Sequence, residues 1–391
     1  MTPADESPPA ESPPIGPPHG TTPVPHVLRG YSLLADGERG VLVGPHGDFA
    51  WMCFPRWDSD AVFAALIGGR SNYTVVPSGR HVWGGYYEDG TLIWRSRWVT
   101  DKGGIVECRE ALAYPGDPHR AVILRRVIAV EGDANVDITL DPAAGFERAH
   151  LRDLRRGEDG DWRGRIGEIW LRWSGAPDAE VTGDGHSGRR LHTVMTIRAG
   201  EHRDLVLELS DHAPRGDLGV SAAPGDAGAL WSATEAAWHA AIPHLGATLA
   251  PRDTRQAYAV LRGLTGAGGG MVAAATTGLP ERADLGRNFD YRYVWIRDQC
   301  YAGQAVAADG PHPLLDDAVR FISERVLADG PDLMPAYTVE GGAVPPEQSL
   351  ALPGYPGGNA IIGNHVRHQF QLDAFGEVLL LLAAAGRHER L

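Results

Sequence analysis

The spacing of apolar residues changes once along this 391-residue chain, near Asp226, and that change limits the fold more than any other feature. Ahead of it the period is two. Thr91 to Val99 sets Leu92, Trp94 and Trp98 on one face and Arg95 and Arg97 on the other, as a half-solvated strand requires. Val41 to Val43, the turn Gly44-Pro45-His46-Gly47 and Phe49 to Cys53 read as a hairpin. Ile105 to Leu112, Ala121 to Val130, Val136 to Leu140, Ile169 to Trp173, Thr193 to Ile197 and Leu205 to Leu209 are further strands. Strands so spaced, with Gly and Asp turns between them, predict an antiparallel β-sandwich over residues 27–225.

Behind Asp226 the period is helical. Leu230, Trp231, Thr234, Ala237 and Trp238 share one face of a helix that Pro243 ends. That helix and the loop to residue 252 read as a linker. Asp253 is placed to cap a helix bearing Ala257, Tyr258, Leu261 and Leu264. Val319, Ile322 and Val326 mark another, and Phe375, Val378, Leu379 and Leu382 a last one. The fold class is thus multi-domain β plus α, with helices and long loops over residues 253–391. The loop region Gly330 to Gln369 is long for a compact domain, so the helical part reads as incomplete.

Composition excludes several classes. Hydrophobic residues are 43% and charged residues 22% of the chain, the balance of a folded domain. No apolar run is long enough to span a bilayer. A net charge of -14 repels phosphate backbones and anionic lipid, which argues against nucleic acid and membrane partners. Lys102 is the only lysine, a bias read as genomic and not chemical. Cys53, Cys108 and Cys300 are odd in number and widely spaced, so no disulfide framework is expected. The first 26 residues hold nine prolines and almost nothing to bury, so they read as a disordered tail with no secretory pattern. A cytoplasmic location is the corresponding expectation.

Two motifs invite chemistry and are set aside. Gly266-Ala267-Gly268-Gly269-Gly270-Met271 approaches a dinucleotide fingerprint but follows a helix and places Met271 where the third glycine belongs. His365 and His368, near Asp373, lack a third ligand at a diagnostic spacing. No cofactor and no metal are therefore assigned. The segment Arg287-Asn288-Phe289-Asp290-Tyr291-Arg292-Tyr293-Val294-Trp295-Ile296-Arg297-Asp298 differs, holding three arginines, two aspartates, two tyrosines and a tryptophan just before a helix that Asp298 could cap. Aromatic faces with planar Arg and carboxylate groups suit a carbohydrate. A buried Arg–Asp pair bracing a loop accounts for the same composition about equally well.

The segment resembles a signature of glycoside hydrolase family 15, which comprises glucoamylases, dextran glucosidases and bacterial trehalases. Tyr31 to Asp36 and Gly47 to Ser59 are similar to the family's N-terminal strand motif, Ala273 to Glu281 to the run before the first barrel loop, and Gly363-Asn364 with Gln369 to Asp373 to a later run. The resemblance implies an (α/α)6 barrel of twelve helices after the sandwich, of which residues 253–391 would be the N-terminal part. It also implies that Tyr291, Trp295, Arg297 and Asp298 line the pocket for a terminal glucose, with Arg297 and Asp298 gripping its hydroxyls. The implied reaction is inverting, with one glutamic acid protonating the leaving oxygen and a glutamate activating water.

In the family both catalytic glutamates lie downstream of the Gln-x-Asp motif, and this sequence holds 18 residues after Asp373. They are expected beyond Leu391, and Glu377 reads as a polar residue on a packed helix. The resemblance is strongest to the cytoplasmic trehalases, through Val27 to Tyr31, Gly44 to Gly47 and Trp83 to Tyr87. Trehalose is the expected substrate. A glucoamylase acting on malto-oligosaccharides, or an inactive sugar-binding relic, are the alternatives. Oligomeric state stays open.

Overall fold

The computed structural model describes residues 25–183, 188–213, 226–246, 248–282 and 287–391. The expected tail therefore falls outside the described residues up to position 24. His26, read as its last residue, is instead docked: its amide donates to Tyr31 Oη at 2.9 Å, and its carbonyl accepts from Tyr355 Oη at 2.8 Å.

Two antiparallel sheets of eight strands form the N-terminal part. In one, the spatial order is Ser32–Ala35, Gly40–Val43, Asp48–Cys53, Asn72–Pro77, Ala134–Asp141, Arg190–Ile197 and Glu180–Thr182, with Ala61–Phe63 paired to Asp48–Cys53. In the other it is Ala149–Arg156, Trp162–Ile166, Ile169–Ser174, His202–Ser210, Arg120–Glu131, Ile105–Leu112, Trp94–Thr100 and His81–Tyr87. Their inner faces share one core that includes Phe49, Tyr73, Trp98, Ile138 and Trp173. Trp94, Ser96 and Trp98 point inward, while Arg95 and Arg97 pair with Glu107 on the outer face. The alternation thus has the expected cause. Leu92, counted with the same face, lies before the strand and packs against the helices.

One charge is turned into this core. Arg125 Nη2 lies 2.5 Å from Glu110 Oε1, and the guanidinium also donates to the carbonyls of Tyr73 and Gly47 on the opposite sheet. Both side chains are fully buried. Burial favours neutral Glu110, and the partner and Ser96 Oγ oppose that shift. Period alone does not reveal such a cross-sheet tie.

Among the described residues five α-helices follow: α1 (Ala227–Ala241), α2 (Pro251–Leu264), α3 (Ile296–Asp309), α4 (Pro313–Asp329) and α5 (Leu372–Gly386). Asp226 caps α1 by accepting from Gly228 N at 3.2 Å. This helix, read as a linker, is docked on the sandwich. Trp231 lies under the Arg109 guanidinium at 4.5 Å and donates to Asp204 at 3.2 Å, and Trp238 stacks on Tyr114.

Asp253 does not cap α2 and Asp298 does not cap α3. Ala250 and Trp295 occupy those positions, and each aspartate sits in the first turn, where the helix dipole still favours its charge. α3 packs between α4 and α5 at Gly303, where a Cβ would meet Leu381 Cδ1 at 2.5 Å and Ala318 Cβ at 3.0 Å. Only a glycine permits that approach. The buried row of α5 is Ala374, Val378, Leu381 and Ala385, and Leu379 is 69% exposed. Five consecutive apolar residues, Val378 to Leu382, make either row legible in sequence. The small alanines decide it by letting α3 come close.

The long region Gly330 to Gln369 is pinned at intervals. Ala336–Tyr337 pairs with Val294–Trp295, and Gln348–Ser349 pairs with Ile361–Ile362. The glycine-rich run Gly266 to Gly270 is a tight turn closed by Gly266 N to Gly270 O at 3.0 Å, with Gly270 against Phe321 and Val294. It packs against these side chains. No described helix is long and apolar enough to cross a membrane.

Candidate functional site

The 287–298 segment is built from two sets of side chains. Asp290 and Arg292 form a buried fork, with Nε to Oδ1 at 2.9 Å and Nη2 to Oδ2 at 2.8 Å. Tyr293 Oη and the amide of Gly363 also donate to Asp290 Oδ2, at 3.1 and 3.0 Å, and Asn364 Nδ2 donates to the Asp290 carbonyl at 3.0 Å. Nη1 of Arg292 crosses to the sandwich, reaching the carbonyls of Ser59 at 2.5 Å and Trp57 at 3.3 Å and Cys53 Sγ at 3.2 Å. Burial disfavours the guanidinium charge, but Asp290 outweighs it and holds the Arg292 pKa well above its usual value. The fork satisfies nearly all of the polar atoms that it takes out of water, the condition for a tolerable buried ion pair.

These contacts gather motifs far apart in sequence. Trp51 Nε1 donates to the Ala275 carbonyl at 2.9 Å, and the amides of Ala273 and Ala274 donate to the carbonyls of Tyr293 and Tyr291, each at 2.9 Å. Asp58 Oδ2 accepts from Val339 N at 3.0 Å, and Asn288 Oδ1 from Asn359 N at 3.1 Å. The runs 51–59, 273–275, 287–298 and 359–364 therefore meet at one place.

The second set is Tyr291, Trp295, Arg297 and Asp298. Tyr291 and Trp295 have ring centroids 5.3 Å apart, inclined at 57°. Trp295 is fixed by its strand pairing to Ala336 and Tyr291 is 38% exposed, so one ring is anchored and the other presented. Arg297 and Asp298 follow in the first turn of α3, both partly exposed. Arg297 Nη1 donates to Asp373 Oδ2 at 2.8 Å, with Gln371 Oε1 at 3.5 Å, and its Nε lies 3.8 Å from Asp298 Oδ2.

The two carboxylates differ. The hydrogen bond from Arg297 holds Asp373 below the usual carboxylate range. Burial pushes Asp298 up, against the nearby guanidinium. Asp298 Oδ2 is buried and has no hydrogen-bond partner, so it is an acceptor with capacity to spare. A neutral polyhydroxyl ligand could supply the missing donor, with an aromatic face beside it for its C–H surface.

The four residues singled out in sequence, Tyr291, Trp295, Arg297 and Asp298, thus fall as two adjoining pairs separated along the chain by Ile296. Asp290 and Arg292 brace the loop, as one of the two sequence readings expected, while Tyr291 is exposed, Arg297 and Asp298 are partly exposed and Trp295 is buried. Asp373 and Gln371 emerge as the partners of Arg297, a role that their place in the Gln-x-Asp run did not disclose. Glu377 accepts from Gln304 on α3 at 2.9 Å. His365 lies 3.5 Å from Glu347, and neither it nor His368 joins a ligand group of three among the described residues.

The sandwich and the helical part each resemble a family known from other sequences. Residues 255–390 match the family described as Glycosyl hydrolases family 15, and residues 20–214 match the family described as Trehalase-like, N-terminal. Over these two stretches the chain is similar to glycoside hydrolase family 15 and to the N-terminal part of trehalase-like proteins. It is 28% identical to the trehalase of Mycobacterium tuberculosis over 90% of this chain and 55% of that protein. It is 29% identical to the trehalase of Mycolicibacterium smegmatis over 90% of this chain and 56% of that protein. Trehalase 1 of Sulfolobus acidocaldarius is 36% identical over 31% of this chain and 23% of that protein. The chain spans about half the length of the mycobacterial relatives.

Proposed function

We propose that this chain contributes the sandwich and the glucose-gripping wall of an inverting α-glucosidase with a preference for trehalose. The observation that carries the reading is the cluster of Arg297, Asp298 and Asp373 beside the Tyr291–Trp295 pair. A guanidinium fixed to one carboxylate, beside a second whose buried oxygen is free to accept, suits the hydroxyls of a non-reducing glucose. Trehalose presents two such rings joined through their anomeric carbons, and the mycobacterial relatives carry the name trehalase over most of this chain. In this reading α2 to α5 belong to an (α/α)6 barrel, and residues 1–24 are a tail.

Hydrolysis with inversion needs an acid on the leaving oxygen and a base on water across the sugar ring. No residue of this sequence is assigned either role, and Glu377 is a packing partner of Gln304. The three cysteines are free and buried, which suits a reducing, cytoplasmic setting. The test is a glucose-release assay on the purified 391-residue chain with trehalose and maltose, together with a trehalose-binding titration. Binding weakened by Arg297→Ala, without turnover, is the expected result. Robust turnover abolished by Glu377→Gln would overturn the assignment.

A further inference from the structure

We propose that His119, Asp211 and His212 form a binding site for a divalent transition-metal ion of the zinc class at one end of the second sheet. The strands Arg120–Glu131 and His202–Ser210 pair antiparallel, with Arg120 opposite Ser210 as the last register pair. His119 immediately precedes one strand, and Asp211 and His212 immediately follow the other. The ladder therefore delivers two imidazoles and a carboxylate, 92 residues apart in sequence, to the same edge.

The backbone holds them there. Asp211 N donates to the His119 carbonyl at 3.3 Å, and His119 N donates to Asp117 Oδ1 at 2.7 Å. Ser210 Oγ both donates to the His212 carbonyl and accepts from its amide, each at 3.1 Å. Both rings converge on one carboxylate. His119 Nδ1 lies 3.0 Å from Asp211 Oδ2, and His212 Nδ1 lies 2.5 Å from Asp211 Oδ1. The ring centroids are 4.5 Å apart, and one ligand atom from each residue lies within 4.8 Å of the others. Small side-chain rotations would place all three about one ion at bonding distances of about 2.0–2.2 Å.

The electrostatics agree. Both rings are turned to the Asp211 carboxylate. The neighbouring Arg120 is turned to Glu208 at 3.0 and 2.5 Å, which compensates its charge. Two imidazole nitrogens and one carboxylate with open positions for water suit zinc, nickel, cobalt or copper, whereas magnesium seeks an all-oxygen octahedron. In the absence of an ion the same residues are a surface hydrogen-bond cluster.

The experiment is calorimetric titration of the metal-free 391-residue chain with ZnCl2, with MgCl2 as comparison, on wild type and on His119→Ala, His212→Ala and Asp211→Asn. One zinc per chain is expected, with no magnesium heat. Each variant should weaken zinc by at least about tenfold, the scale on which even outer-shell partners act. These side chains are exposed, so metal-free melting temperatures should match wild type. Cobalt(II) should give tetrahedral d–d absorption that His119→Ala removes. Absence of zinc binding, or zinc affinity equal in wild type and all three variants, would overturn the proposal.

Discussion

Arg297 is held by Asp373: its Nη1 lies 2.8 Å from Oδ2 of an aspartate 76 residues later, at the start of a neighbouring helix. The proposed sugar-binding cation is therefore oriented before any ligand arrives, and its partner is already charged. Arg297→Ala should weaken trehalose binding by about 1.5–3 kcal/mol, the scale of a hydrogen bond to a charged group. Asp373→Asn keeps the acceptor and should cost less. Titration calorimetry with all three proteins gives the order, and an Arg297→Ala affinity equal to wild type would remove Arg297 from the site.

The Asp290–Arg292 fork makes a different prediction. Both side chains are buried, so Arg292→Ala leaves a carboxylate out of water with its main partner gone. Loss of one member of a buried pair typically costs about 3–5 kcal/mol. Denaturant unfolding should show a loss on that scale, in contrast to a near-neutral Arg297→Ala.

Asp36 sets a pH dependence. It is buried, and burial pushes its carboxyl up to about 6 despite Arg39 and two backbone donors. The folded state then binds its proton more tightly than the unfolded chain. This contribution to stability is present below the unfolded pKa, declines as pH rises through the interval up to about 6, and is flat above. The decline is on the order of 3 kcal/mol. Asp36→Asn should remove it, so the wild-type-minus-mutant stability difference should vary between about pH 4 and 6 and be constant above.

A fourth prediction concerns the exposed apolar residues around α5: Phe370, Leu372 and Leu379 are each about 70% exposed, and Leu380 is 53% exposed. Such a patch promotes association. Leu379→Gln with Leu380→Gln should lower the apparent mass of the chain in concentrated solution by light scattering, without changing its melting temperature.

The tail gives a fifth. Deleting residues 1–24 should leave the melting temperature within error. Extending the deletion through His26 should lower it, because His26 joins Tyr31 to Tyr355.

Sequence made the sandwich legible where one face was wet, as in Trp94 to Thr100. It failed for Ala149–Arg156, where Leu151 is the only buried residue and a register break falls between Arg152 and Arg155, and for Trp162–Ile166, whose alternation is only five residues long. Helix caps were misplaced because an aspartate at the third position of a first turn looks in sequence like one at the cap. The 287–298 segment was legible as a mixture of aromatic, arginine and carboxylate groups, but which of them brace the fold was not. The bracing depends on what Arg292 finds at Ser59, and no local pattern encodes a contact 233 residues away.

That reach has a practical consequence for anyone building chimeras. A helical portion excised at residue 226 and fused to a foreign β scaffold would bring Arg292 to an interface with no carbonyls to receive it. The graft would have to include the 51–59 loop, so the natural unit of exchange is this loop together with the helices, and not the domain as the eye divides it.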